Sequence, residues 1–212
     1  MTRFTSRRAR ESFEKGFTLI ELIVAVALFT VVMLIAMTAL LAIANADRKA
    51  QSIQSVVDNL DFALDDMSRI VRTGTVYHCT DMSGDTLGAM GNPTVQQGCP
   101  EYGSSYIALL PSGADPSSQT DRIVYWYSSS CEGFSGGCIE KSTDSGQTFL
   151  PLTSPDVSVD SMRFYVPTIG TWPQYTTQPK VLIELTAHIN VAGGSPTTLR
   201  LETTLTQRVY NE

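Results

Sequence analysis

The chain has 212 residues, 42% hydrophobic and 17% charged, with a formal net charge of −6. This length suits one domain with an appended segment. The charge is uneven, because the first sixteen residues sum to +3 and leave −9 for the remainder. Phosphate binding needs clustered lysine and arginine, so the acidic body excludes nucleic acid as a direct partner. We interpret its charge as a solvated surface that aids solubility.

A short basic leader, residues 1–16, precedes an apolar stretch over residues 17–44. About 20 apolar residues span a bilayer core, and the apolar region of a cleavable secretory signal is shorter than this stretch. We therefore expect a retained transmembrane helix. The positive-inside rule places the leader in the cytoplasm and the remaining chain outside it. Four polar residues interrupt the stretch: Thr18, Glu21, Thr30 and Thr38.

Residues 45–73 continue without glycine or proline and change to an amphipathic pattern. Apolar residues recur at three- and four-residue steps, which predicts one apolar face of a helix. The members of this face are Ile53, Val56, Val57, Leu60, Leu64, Met67, Ile70 and Val71. Gly74 is a typical helix stop, so we expect the helix to end at residue 73.

Residues 74–212 are predicted to form an exported, β-rich domain. The part from 75 to 121 is rich in glycine and proline and contains one predicted strand, at 105–110. Further strands are predicted at 123–127, 138–141, 157–166, 180–190 and 197–210. An antiparallel meander with one buried face explains the alternation in the last strands. That face needs a cover, and packing the amphipathic helix on it predicts an α+β fold.

Four cysteines lie outside the apolar stretch, at Cys79, Cys99, Cys131 and Cys138. In an exported domain an even number of cysteines indicates disulfides, and four cysteines allow three pairings. We favour Cys79–Cys99 and Cys131–Cys138, because each closes a short local loop. A zinc site is disfavoured, since the tight Cys-x-x-Cys pairs of zinc ribbons are absent from the sequence.

Residues 15–21, Lys-Gly-Phe-Thr-Leu-Ile-Glu, with a basic leader before them and a long apolar helix after them, resemble the processing site of type IV prepilins and type II secretion pseudopilins. This resemblance covers about the first quarter of the chain. Residues 142–146, 152–157 and 162–165 are similar to the C-terminal sheet of minor pilins and larger minor pseudopilins. The resemblance implies a pilin-like fold in which a long N-terminal helix packs on an antiparallel sheet.

The resemblance also implies roles for three residues. A prepilin peptidase would cut after Gly16 and remove the leader, and the new N-terminus, Phe17, would be N-methylated. Glu21 would become the fifth residue of the mature chain and pair with the Phe17 amino group of a neighbouring subunit. The implied partners are the peptidase, other pilin or pseudopilin subunits and the inner-membrane assembly platform.

The physical chemistry of Glu21 agrees with that role. A carboxylate costs about 2.5–3.5 kcal/mol at the centre of a membrane helix on insertion scales, and a nearby amine offsets this cost. Glu21 and Phe17 are one turn apart, so Glu21 can also pair with the Phe17 amine of its own chain. The alternative is a carboxylate that reaches the lipid headgroups without a partner.

Two departures from the family pattern favour a minor subunit. Many major pilins carry a proline where this chain has Thr38, and the body is large for a major pseudopilin. Some tip subunits lack the equivalent of Glu21, so its presence favours a position just below the tip. The competing hypothesis is a signal-anchored, extracytoplasmic binding or adhesion protein that does not polymerise.

The remaining chemistry predicts no enzyme. His78 and His188 are the two histidines, and no nucleophile motif accompanies either, so we interpret both as ordinary surface residues. Tyr125, Trp126 and Tyr127 alternate faces of a strand, which predicts at least one exposed ring. Trp172 could be a contact residue, although filling of a strand or core is the default for all four aromatic residues.

Calcium is the cofactor for which the sequence offers candidate ligands. Asp81 and Asp85 lie in one loop, and Asp144 lies with Gly146 in another. Neither loop has the spaced acidic ligands of a calcium loop, and turn formation explains these aspartates more simply. We therefore expect no cofactor.

Overall fold

The computed structural model describes residues 16–79, 98–115, 120–167, 178–189 and 196–208. The chain divides into two compact units, Met1–Arg48 and Lys49–Glu212. A single α-helix, α1 (Leu19–Thr73), begins in the first unit and ends in the second. The helix predicted from the absence of glycine and proline is therefore confirmed.

In the first unit, every described residue from 16 to 48 is exposed. Two of the three threonines in the apolar stretch donate their hydroxyl groups to carbonyl oxygens of their own helix. Thr30 Oγ1 donates to Ala27 O and Thr38 Oγ1 to Ile35 O, both at 2.8 Å. These bonds give both hydroxyl donors a partner within the helix, which suits an apolar solvent.

The described residues of the second unit form eight strands in two antiparallel sheets. The five-stranded sheet runs in the order β1 (Thr75–His78), β2 (Tyr106–Leu110), β3 (Ile123–Ser128), β4 (Cys138–Ser142), β5 (Leu150–Pro151). The three-stranded sheet runs in the order β6 (Ser158–Tyr165), β7 (Lys180–Ile189), β8 (Thr197–Thr206). Each sheet is a meander, so the expectation of one meander is corrected to two.

The strand predictions match β2, β3, β4, β6, β7 and β8 to within a few residues. They missed β1 and β5. β1 has a register shift between Thr75 and His78, and Val76 has a φ of 51°, so its side chains do not alternate regularly. β5 is two residues long, which is too short to show a period.

The core lies between the C-terminal part of α1 and the sheets. The helix buries Val56, Leu60, Ala63, Met67 and Val71, with Ile53, Leu64 and Ile70 partly buried beside them. These residues lie at three- and four-residue steps and form one helical face. They pack with sheet residues that include Ile107, Phe164 and Ile183. The predicted α+β fold, with an amphipathic helix covering strands, is confirmed.

A second, smaller cluster forms on the five-stranded sheet from Tyr106, Ala108 and Val124, with Trp126 and Phe149 packed against it. The Trp126 and Phe149 rings meet edge to face at 5.2 Å. The expectation of an exposed ring at 125–127 is wrong, because Tyr125 is buried and Trp126 and Tyr127 are half-buried. Trp172 lies outside the described residues.

The C-terminal end of α1 is held by residues nearby in sequence and by one far away in sequence. Gly74 N donates to Ile70 O at 2.8 Å, and a Cβ at Gly74 would lie 2.6 Å from Leu109 Cδ1. Tyr77 Oη donates to Val71 O at 2.6 Å, and Gln207 Nε2 donates to Gly74 O at 3.0 Å. The orphan carbonyls of the last turn thus find donors on β1 and after β8.

Candidate functional site

The N-terminal site comprises the residues around the junction of leader and helix. Gly16, Phe17 and Thr18 precede α1, are not helical and are exposed. The Gly16–Phe17 peptide bond thus lies in exposed, non-helical backbone just before the helix. An added Cβ at Gly16 would meet nothing within 4 Å, which shows that the fold itself does not require glycine there.

Thr18 caps the helix. Its Oγ1 accepts a bond from Glu21 N at 3.4 Å, and its carbonyl accepts one from Leu22 N at 3.2 Å. Thr18-x-x-Glu21 has the spacing of a capping box, and a carboxylate in the first turn complements the helix dipole. This cap was not predicted, although the spacing of a threonine and a glutamate before an apolar run signals it.

Glu21 carries the only charge in the sequence between Phe17 and Ala46. Its neighbours are large apolar side chains that face outward, such as Leu22, Ile23 and Leu28. α1 is the helix in the described residues that is long and apolar enough to cross a membrane, and none of its most apolar window is buried within the chain. An exposed apolar surface of this length is typical of a segment that contacts lipid or other protein.

A polar cluster holds α1 on the five-stranded sheet. Lys141 Nζ lies 2.8 Å from Asp66 Oδ2, and Tyr125 Oη donates to the same oxygen at 2.7 Å. Lys141 Nζ also lies 5.7 Å from the centre of the Tyr125 ring. Nearby, Ser154 N donates to Asn59 Oδ1 at 3.1 Å. These contacts fix the rotation of the helix on the sheet.

The cluster shifts two pKa values. Burial raises the pKa of Asp66, but the hydrogen bonds from Lys141 and Tyr125 and the charges of Lys141 and Arg69 together hold it below the ordinary 3.8. Burial, with the hydrogen bond to Asp66 and the charge of that residue, raises the pKa of Tyr125. The carboxylate and the neutral phenol are therefore the stable forms at neutral pH.

The two histidines differ from each other. The expectation that His78 is a surface residue is wrong, because its relative exposure is 6%. His188 is half-buried on the face of β7 opposite Val181, and its Nδ1 lies 2.6 Å from Asp160 Oδ1. The burial of His78 could not be predicted from the sequence, because the register shift in β1 disrupts the alternation of its side chains.

The candidate calcium residues fall in two groups. Asp144 Oδ1 accepts bonds from Ser142 Oγ at 2.6 Å, Gln147 N at 3.1 Å and Thr148 N at 2.9 Å. The Ser142 hydroxyl and these backbone donors lower the pKa of Asp144 to about 2. Its geometry is that of a turn-forming aspartate. Asp81 and Asp85 lie outside the described residues.

The structure joins Cys79 to Cys99 and Cys131 to Cys138, the two pairs that the sequence favours. The first disulfide ties the end of β1 to the segment before β2, and the second closes the turn between β3 and β4. Glu140 lies close to the second pair of sulfur atoms. Metal ligation needs thiolates, and sulfur atoms joined in a disulfide do not offer them.

Residues 12–37 match the family described as prokaryotic N-terminal methylation motif. The match covers Gly16, Phe17 and Glu21 together with the first half of the apolar stretch. No curated protein and no solved structure shows significant similarity to the chain. The motif, the long apolar helix and the antiparallel strands together support a prepilin that is similar to type IV pilins and pseudopilins.

Proposed function

We propose that this chain is a minor pilin or minor pseudopilin that assembles into a type IV pilus or a type II secretion pseudopilus. Prepilin peptidase removes residues 1–16, Phe17 becomes the methylated N-terminus, and the apolar part of α1 enters the filament core. The protein is a structural subunit, and we assign it no catalysis and no cofactor.

The observation that carries this proposal is the exposed apolar surface of α1 with one carboxylate near its start. Phe17 is 80% exposed and the apolar side chains up to Ile43 are exposed as well. A lipid bilayer covers this surface before assembly, and the helices of other subunits cover it afterwards. Apolar side chains lose nothing in leaving lipid for protein, so packing and polar contacts must drive the association.

Glu21 supplies the polar contact. In the bilayer its carboxylate is costly, and a cationic amine from a neighbouring subunit lowers that cost. Cleavage after Gly16 creates such an amine at Phe17, which the uncleaved chain does not have at this position. The pairing of Glu21 with the Phe17 amine of the next subunit thus depends on removal of the leader.

The two disulfides support export of the body, because disulfides persist in oxidising compartments outside the cytoplasm. We place the precursor in the inner membrane as a single-pass protein with residues 74–212 outside the cytoplasm. The assembly platform of the inner membrane and the other subunits are then its partners. Retention of Glu21 and the large body favour a place near the tip of the filament.

Substitution of Glu21 tests the assembly step. We expect Glu21→Gln to be cleaved normally but to enter filaments at least tenfold less often, because it removes the charge and keeps the side-chain volume. Glu21→Asp retains the carboxylate and should recover part of the incorporation. The measurement is quantitative immunoblotting of sheared filaments against the membrane fraction.

The control is Thr30→Ala, a substitution in the same helix whose hydroxyl bonds its own helix. It should assemble like the wild type. Equal incorporation of the wild type and Glu21→Gln would contradict the proposed pairing of Glu21 with the Phe17 amine. A wild-type protein that is cleaved yet stays out of every filament would favour the competing hypothesis of a signal-anchored binding protein.

A further inference from the structure

β8 lies at the edge of the three-stranded sheet and is one of the two longest strands described. It pairs with β7 without a register shift, from Lys180↔Thr206 to Ile189↔Thr197. Within the described ranges, no strand lies on its other side. A long, regular edge of this kind is a template for pairing with another strand.

A hydrogen bond at the end of β8 shows which residues point their backbone N–H and C=O groups toward β7. Gln207 N donates to Pro179 O, so the odd-numbered residues direct their backbone groups toward β7. The even-numbered residues then direct theirs to the open edge. Arg208 is even-numbered, and its N–H accordingly points away from β7 and donates to Arg72 O of α1 at 2.8 Å. The outward positions are Thr198, Arg200, Glu202, Thr204 and Thr206.

The side chains of these positions carry a charge pattern that is complementary to itself. Arg200 and Glu202 are exposed on the same face, two residues apart. On the β7 side, Glu202 lies directly opposite Glu184, so two carboxylates face each other across the sheet. Like charges at opposed positions are destabilising, and a cation on the open side of Glu202 would relieve this.

We propose that β8 pairs antiparallel with β8 of a second copy of this chain, centred on Leu201. Arg200 of each copy then lies opposite Glu202 of the other, and Thr198 lies opposite Thr204. A shift of two residues in one direction sets Arg200 against Arg200, and in the other direction Glu202 against Glu202. A shift of one residue turns the side chains to the wrong face. The charges therefore select one register.

The surroundings of the edge fit this register. A cavity of about 390 Å³ lies between α1 and β8. Its lining residues are Asp61, Leu64, Asp65, Ser68, Arg72, Thr203 and Leu205. Leu199 of the second copy then lies opposite Thr203, on the face that lines this cavity. Its apolar side chain can therefore fill part of the cavity. The pairing ends at Leu205, before Arg208, where the end of α1 already occupies the edge.

An interface made mainly by one strand edge is small, so we expect a weak dimer that forms at tens of micromolar or at the density of a membrane. The pairing does not involve Gly16, Phe17 or Glu21. Its failure is therefore distinguishable from failure of leader processing or of filament assembly.

The test is the mass of the full chain, measured by analytical ultracentrifugation in a mild detergent with micelles in excess over protein. We expect the wild type to form a dimer at about 100 µM. Arg200→Glu and Glu202→Arg should each weaken the dimer by about tenfold, since each creates two like-charge pairs. Lys180→Glu is the matched control, because it reverses an exposed charge on the central strand β7.

An equimolar mixture of Arg200→Glu and Glu202→Arg chains should dimerise again, because each glutamate then faces an arginine. Restoration also shows that both variants are folded. A mixture no tighter than either variant alone, or a wild type that stays monomeric at 100 µM, would overturn the proposal.

Cross-linking tests the register itself. Residues at position 201 face each other across the two-fold axis as a non-hydrogen-bonded pair, where Cβ atoms lie about 4.5–5.5 Å apart. Leu201→Cys should form an interchain disulfide under mild oxidation. Thr198→Cys should not, because its counterpart lies six residues away along the strand. Equal cross-linking of both variants would contradict the proposed register.

Discussion

At the residue scale, Glu21 lies in the capped first turn of the helix and is also the residue to which we assign the assembly contact. Its backbone N–H is capped by Thr18, which fixes the start of the helix at Leu19, the third residue after the proposed cleavage site. Its carboxylate lies in the first turn of an apolar helix, where the helix dipole favours it and lipid does not. The sequence predicted the assembly contact, and the structure adds the cap.

Asp66 gives a prediction at the same scale, on the pH dependence of stability. Its pKa in the folded protein lies below the ordinary 3.8, so the carboxylate stabilises the fold at neutral pH. That contribution is lost as the pH falls below about 3.8 through the lower folded pKa. We expect Asp66→Asn to lower the melting temperature at pH 7, and the difference from wild type to shrink below pH 4, as followed by circular dichroism.

Asp65→Asn is the matched control, since Asp65 is the adjacent aspartate on α1 and is exposed. It should change the melting temperature little at either pH. A difference between wild type and Asp66→Asn that persists unchanged to pH 2, or an equal effect of Asp65→Asn, would show that the contact with Lys141 and Tyr125 does not stabilise the fold.

At the element scale, α1 has two surfaces because its sequence changes period. Residues 17–44 place apolar side chains on all sides of the helix. From residue 53 the apolar side chains lie on one face. The helix and its buried face were predictable from this spacing. Ala63 was omitted because alanine is a weak apolar signal, yet it is fully buried where the helix approaches its partners closely.

The buried face gives a second stability prediction. Leu60 is fully buried, and Leu60→Ala removes apolar contacts and leaves a cavity, which costs about 2–5 kcal/mol. Phe62→Ala, at a position 65% exposed two residues away, should change the free energy of unfolding by about 0.5 kcal/mol or less. Urea unfolding followed by tryptophan fluorescence measures both. Equal losses would mean that α1 packs on the sheets through a different face.

Among the strands, regular alternation decided what could be predicted. β7 and β8 alternate over ten residues, and their pairing without a register shift follows that pattern. β1 was missed because Val76 interrupts its register, and the burial of His78 was missed with it. The contact of Asp66 with Lys141 could not be predicted, because the two residues are 75 positions apart and no local pattern links them.

At the scale of the whole molecule, the chain keeps two kinds of apolar surface apart. The body buries its own core between α1 and two sheets. Among the described residues, the apolar side chains of the N-terminal stretch are exposed, and in the function we propose lipid or other subunits cover them. Composition predicted this division, but the presence of two sheets depended on which strands meet, and strand order is not encoded in the period of any one strand.

The measurement that tests the central claim most directly is mass spectrometry of the N-terminal peptide of the membrane-extracted protein. Gly16→Ala is the companion variant, since a Cβ at residue 16 has room in the structure and its effect reports recognition by the peptidase, not folding. We predict a wild-type chain that begins at Phe17 and carries one added methyl group, and a Gly16→Ala chain that retains its leader. A wild-type protein that begins at any other residue, or a Gly16→Ala chain cut as efficiently as the wild type, would contradict the account.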